Sequence, residues 1–301
     1  MKYVDVGGQA IIEGVMMKRQ DVYAIAVRKP DHEIILEKKV YKSFTKRNKI
    51  FGLPIIRGAV AFVESLVMGM KILTYSAEFF EVDGEVEPSK FEKKFENKFG
   101  KKKMDDMLIL LSIILATLLS IGLFILLPLG ISQLLKPILE STRMINLVDG
   151  LIRVLILFGY IYLISLMKDI QRVFQYHGAE HKSIHCLENE EELTIENVKK
   201  QSRLHKRCGT NFLFVVVIIS VVVLTLFNVD TFFLRLGIRL IMLPFIAGLS
   251  YEVIKLLGKN DNVFSDIVSF PGLCLQKITT SEPDDEQIEV AIAALKGALE
   301  G

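Results

Sequence analysis

Four stretches of this chain are too long and too apolar to sit on the surface of a water-soluble fold: residues 107–131, 145–167, 211–227 and 232–257. Each approaches the roughly 20 apolar residues that a helix needs to cross a bilayer. In hydrocarbon every backbone polar group must be satisfied within the segment, so these stretches are expected as helices. The expected fold class is therefore a mainly α membrane protein with about four transmembrane helices. Lysine and arginine asymmetry orients them. Seven lysines fall between Lys90 and Lys103, ahead of the first span, whereas the loop after it carries only Lys136 and Arg143. The loop between the second and third spans is again basic (Lys168, Arg172, Lys182, Lys199, Lys200, Arg203, Lys206 and Arg207), and residues 228–231 hold no cation. This pattern predicts a multi-pass protein of the cell's inner membrane with both termini cytosolic. The hydrophobic fraction of 51% is concentrated in these runs, and a net charge of +2 gives no reason to expect nucleic acid as a partner. Met1-Lys2-Tyr3-Val4-Asp5 opens no apolar core of the kind a signal peptide needs.

The flanks divide the rest. Residues 1–48 read as a small N-terminal β unit, with strands near 23–27 and 34–41 around a turn at Lys29-Pro30-Asp31-His32. Gly7 and Gly8 read first as a turn before a buried strand, and second as a place where backbone approaches a ligand. Residues 49–103 hold an amphipathic helix and a Lys-rich cytosolic segment. Arg57, Ala61, Glu64, Ser65, Met68 and Lys71 trace one polar stripe at helical spacing over 51–75, which suits an interfacial helix or one packed on the bundle; a fifth span stays open. In 81–103 the lysines interleave with Phe91, Phe95 and Phe99, expected to set topology first and to touch anionic membrane lipids second. Residues 104–258 form the transmembrane bundle with a cytosolic His/Cys loop at 168–210. Residues 259–301 are C-terminal cytosolic helices: an interfacial one at 263–270 before Pro271-Gly272, and a last one after Asp284 with Ile288, Ala291, Ile292 and Leu295 on its apolar face. No internal repeat supports an inverted-repeat transporter.

The chemistry gathers in one place. Four of the five histidines lie within residues 177–205. On a helix His177, His181 and His185 share a face, and imidazoles four apart can hold one metal ion. His177-Gly178-Ala179-Glu180-His181 is also the inverted zinc-protease pattern, in which the glutamate acts as general base. Thr194 reads as the N-cap of a helix running to about Arg207 and ended by Gly209, which would carry His205 and Cys208 at its terminus. The expected ligands of a divalent metal, zinc by donor type, are His177, His181, His205 and Cys208, with Glu180 catalytic and His185, Cys186 and Glu252 in reserve. Four bound donors would make a closed structural site; one donor left out would leave room for water. Elsewhere, Glu13 is expected to be paired or functional, and Glu252 functional or paired with Lys255. Asp149, Arg153, Arg235 and Arg239 should pair with one another near the opposite face, and Tyr176 should anchor at the interface.

Residues 7–17, 176–182, 205–210 and 289–292 together resemble the YqhQ-like family of bacterial membrane proteins, over nearly the whole chain. The resemblance implies a multi-pass membrane protein with a metal site, since members are commonly labelled predicted metal-dependent enzymes. It implies no substrate and adds little for His185 or Glu252. The function expected first is a membrane-embedded metal-dependent hydrolase acting on a membrane-proximal peptide or lipid. The alternatives are a metal-stapled scaffold that binds a partner protein, and a transporter or metal-handling protein.

Overall fold

The computed structural model describes residues 4–80, 101–139, 141–227, 229, 231–257 and 262–300. The lysine-rich segment over residues 81–100 lies outside the described residues.

The N-terminal unit is a four-stranded antiparallel sheet in the order β1 (Val6–Ile11), β2 (Gly14–Arg19), β3 (Val22–Arg28), β4 (Ile34–Val40). The glycine-containing run thus holds two strands rather than one. The turn between them puts Glu13 at φ 46°, and Arg28 N–H caps it by donating to the Glu13 carbonyl at 2.8 Å. Side chains alternate between two covered faces. Val15, Met17, Ala24 and Ala26 face one core, and Met16, Ile25 and Val27 the other. Burial on both faces explains why the strand reads as a continuous apolar run.

The first core is closed by the last helix and by the histidine helix. Helix numbering runs α1 (Phe44–Arg47), α2 (Ile56–Ala77), α3 (Lys101–Ile121), α4 (Leu127–Leu134), α5 (Thr142–Ser165), α6 (Lys168–Glu188), α7 (Ile195–Lys200), α8 (Gly209–Thr225), α9 (Phe232–Leu257), α10 (Val263–Thr279) and α11 (Asp285–Leu299). Asp284 and Gln287 form a capping box that starts α11. Its face of Ile288, Ala291 and Leu295 is wholly buried against β2 and β3. Ile288 and Leu295 each contribute about 1.5–3 kcal/mol of transfer free energy. Arg28 ties the strand end to α11 through Glu289 at 2.6 Å. The second core is closed by α2, through Ile72 with Met68 and Tyr75.

Among the described residues, three helices are long and apolar enough to cross a membrane: Met107–Leu134, continuous through a π-helical stretch at Gly122–Leu126, Thr142–Ser165 and Phe232–Leu257. The fourth expected span is α8, apolar but only 17 residues long. At about 1.5 Å per residue it falls short of a bilayer core of about 30 Å. Helix α2 lies against α9, where a Cβ on Gly58 would come within 2.7 Å of the Gly248 carbonyl, so bare glycines set the approach. Three of the four expected ion partners meet, Asp149 accepting from Arg153 at 2.8 Å and from Arg239 at 2.9 Å, while Arg235 donates to Asn146 Oδ1 at 3.0 Å and to the Val229 carbonyl at 2.7 Å.

One expectation about the tail and one about an aromatic residue need correction. Helix α10 does not stop at Phe270 but continues through Pro271 and Gly272 to Thr279. Gly272 passes so close to Asn211 that a Cβ would meet its Oδ1 at 2.0 Å, so tight packing on α8 carries the helix past its breaker. Tyr176 is not an interface anchor. It is fully buried in the first core, and its hydroxyl donates to Glu13 Oε2 at 3.0 Å. Arg172 completes the pairing of Glu13 at 2.6 and 2.8 Å.

Candidate functional site

Helix α6 starts after a break at Met167, whose extended backbone (ψ 129°) turns the chain out of α5. His177, His181 and His185 then stand on one face, as their spacing predicts. Opposite them lies the segment 201–208, expected as the end of a helix. Helix α7 stops at Lys200 instead. The carbonyls that a longer helix would use internally are taken by the histidines: Arg203 O accepts from His181 Nδ1 at 2.6 Å and Leu204 O from His185 Nε2 at 2.9 Å. Gly209 does not end a helix. It opens α8, with Cys208 as N-cap and its Sγ accepting from Thr210 N–H at 3.4 Å. Gln276 on α10 clamps the His205 backbone from the other side, accepting from its N–H and donating to its carbonyl, both at 2.8 Å.

The donors fall into two groups. His177, His181 and Cys208 present donor atoms all within 4.8 Å of one another, with His177 Nε2 at 3.2 Å from Cys208 Sγ. Nitrogen and sulfur on one tetrahedral zinc would be about 3.5 Å apart, given bonds of about 2.0 and 2.3 Å. The outer hydrogen bonds fix the tautomers. His177 Nδ1 donates to Thr279 O at 2.9 Å and His181 Nδ1 to Arg203 O, so each Nε2 keeps its lone pair. Carbonyl-oriented imidazoles of this kind are what a metal centre requires. Burial pushes the His181 and His205 pKa values down, so both rings are neutral.

The second group is His185, Glu188 and His205, each buried and again within 4.8 Å. Its hydrogen bonds do not suit a cation. His205 Nδ1 accepts from Arg207 N–H at 3.2 Å, so Nε2 carries the proton and donates to Glu188 Oε2 at 3.3 Å. The Arg207 guanidinium holds the other Glu188 oxygen. His205 therefore has no free lone pair, and the carboxylate is already charge-balanced. Of the four expected ligands, the geometry brings three together and sets His205 beside them, its ring 5.7 Å from that of His181. Burial drives His185 down to about 4.

A cavity of about 380 Å³ is lined by His177, His181 and Cys208 together with Glu180 and His205. Glu180 is 5% exposed, and burial raises its pKa while the Gly8 N–H bonds to it. A Cβ on Gly8 would lie 2.6 Å from the Glu180 side chain, so Gly8 brings backbone against Glu180, whereas a Cβ on Gly7 would meet nothing within 4 Å. Gly8→Ala should therefore displace the carboxylate at less cost to the fold than a clash with backbone, because all three obstructed atoms (Cγ, Cδ and Oε1) belong to the Glu180 side chain. Thermal unfolding should move little by comparison while any Glu180-dependent activity falls; unchanged activity would show that the contact does not place the group. Of the reserve residues, Cys186 is buried with its thiol directed at Glu192 O, at 3.4 Å, and Glu252 is held by Arg57 rather than Lys255, with Nε to Oε1 at 2.6 Å. Gln276, Thr279, Glu188 and Arg207 escaped sequence reasoning. Gln276 and Thr279 act through long-range contacts with no local spacing signal, whereas Glu188 stands three residues after His185 and Arg207 two after His205, a proximity visible in the sequence.

Comparison with known proteins agrees with the expected resemblance. The chain is 38% identical over 296 residues to the "Uncharacterized protein YqhQ" of Bacillus subtilis (strain 168), covering 97% of this chain and 92% of that protein. No solved structure matches it. Residues 53–301 match the family model described as "Protein of unknown function (DUF1385)". The chain belongs to the DUF1385 family.

Proposed function

We propose that this chain is a multi-pass inner-membrane protein with both termini cytosolic, and that its His/Cys/Glu cavity is a divalent-metal-dependent hydrolytic site for a membrane-proximal substrate. The observation that carries this reading is the convergence of two Nε2 lone pairs and one sulfur beside a buried carboxylate. His177, His181 and Cys208 would hold the cation. When bound, a zinc-type ion supplies Lewis acidity and lowers the pKa of water. Glu180, in the same cavity, takes the proton of the attacking water and returns it to the leaving group. The Gly8 N–H steadies its charged form. His205 is committed to Glu188, which favours an open three-donor shell over a closed structural one. That difference separates hydrolase from scaffold.

The test is Glu180→Gln in the full-length, zinc-loaded protein. Zinc content and thermal stability should stay, while hydrolysis across fluorogenic ester and peptide panels should fall about 10²–10⁴-fold, as for loss of a general base. No zinc-dependent hydrolysis in the wild type, or none lost in the variant, would overturn the reading.

A further inference from the structure

The polar stripe on α2 has no part in the site described so far. Arg57, Ala61, Glu64, Ser65 and Met68 all line a second cavity, of about 690 Å³, between α2 and the sheet. Gly7, Gly8, Gln9 and Gly209 line both cavities, so the two adjoin across the start of β1.

The charges in the second cavity are not evenly spent. Asp21 is paired with Lys46 at 2.7 Å. Glu64 accepts from the Ser43 hydroxyl at 2.6 Å and from Phe44 N–H at 2.5 Å. Arg57 is paired with Glu252. Asp5 is exposed at the mouth. Lys18 and Lys255 remain: among the described residues neither has a carboxylate within ion-pair distance. Each ammonium lies over a tyrosine ring, Lys18 over Tyr41 at 5.0 Å and Lys255 over Tyr251 at 5.9 Å. Lys18 is half-buried, and burial lowers its pKa against the opposing pull of Glu64, Asp21 and Asp5, so its ammonium keeps a cost that an added anion would relieve. The opposite side of α2 is apolar and exposed, with Val63, Leu66, Val67, Met70 and Leu73 along one face. One helix therefore turns polar groups into the cavity and aliphatic groups outward, the arrangement an interfacial helix uses at a lipid surface.

We propose that this second cavity binds the phosphate of a membrane lipid headgroup through Lys18 and Lys255, which both line it, with the acyl chains leaving the cavity past α2 toward the bilayer that its outer apolar face would meet. That the shared wall at Gly7–Gln9 passes the headgroup ester to Glu180 rests on the hydrolase reading; the binding does not.

The experiment titrates full-length protein in neutral detergent with dioctanoyl phosphatidylglycerol, followed by native mass spectrometry. Lys18→Gln combined with Lys255→Gln should weaken binding by about tenfold or more, the scale expected for losing charge-assisted contacts. Ser65→Phe, at an exposed position on the cavity wall, should do the same by filling it. Lys38→Gln, on the far strand, should change nothing. His177→Ala should bind the lipid as the wild type does, which separates failure of this site from failure of the metal site. Wild-type affinity in both cavity variants would overturn the proposal. So would equal binding of dioctanoylglycerol, which lacks phosphate. Inorganic phosphate bound as tightly as the lipid would overturn the lipid as its source.

Discussion

Full-length protein purified with zinc present should carry about one ion per chain, and His177→Ala, His181→Ala or Cys208→Ser should each release it. His185→Ala should not. The contrast follows from hydrogen bonding rather than from residue type, since both groups hold donors within 4.8 Å. In the first group the backbone carbonyls of Thr279 and Arg203 turn two lone pairs inward. In the second, Arg207 occupies both the acceptor nitrogen of His205 and the Glu188 carboxylate. Disturbing outer contacts of a metal ligand commonly costs about 10–100-fold in affinity, and removing a ligand should cost at least that. Elemental analysis of wild type and variants reads the outcome. Retention of the ion in His177→Ala, or its loss in His185→Ala, would exchange the two groups or remove the first.

Gly178→Ala should destabilise the protein by about 1–3 kcal/mol, the usual cost of overpacking. Gly178 lies one residue after His177, where the segment leading to α11 crosses α6. A Cβ there would meet the Ser281 carbonyl at 2.1 Å, and backbone cannot step aside as a side chain can. Ser281 N–H donates to Phe174 O at 2.9 Å, and Lys182 pairs with Glu282 at 2.9 Å, so the crossing is held on both sides. Displacing it would also shift Thr279 O, the partner of His177 Nδ1. A lowered thermal midpoint with weaker zinc retention is expected. An unchanged midpoint would show that the crossing relaxes freely.

Local signals in the sequence were sufficient where chemistry is local. The i, i+4 spacing placed His177 and His181 on one face, and runs of strand-forming residues on either side of a turn placed β3 and β4. The apolar face of α11 followed from Ile288, Ala291 and Leu295. The errors share a cause. Gly209 and Pro271 are ordinarily helix breakers, yet Gly209 opens α8 and Pro271 sits inside α10. The helix expected to reach Arg207 stops at Lys200 because distant histidines take its carbonyls. Tyr176 looked amphipathic and is a core residue because Glu13, far away in sequence, satisfies its hydroxyl.

What the amino-acid order determined by itself was the set of apolar helices, the β unit and the identity of the donors, because helical and strand periodicity and side-chain chemistry are properties of near neighbours. Only the tertiary structure decided which donors meet and which nitrogen of each ring is free. Those depend on carbonyls from the 201–208 segment and from α10, brought to α6 by packing that no spacing along the chain encodes.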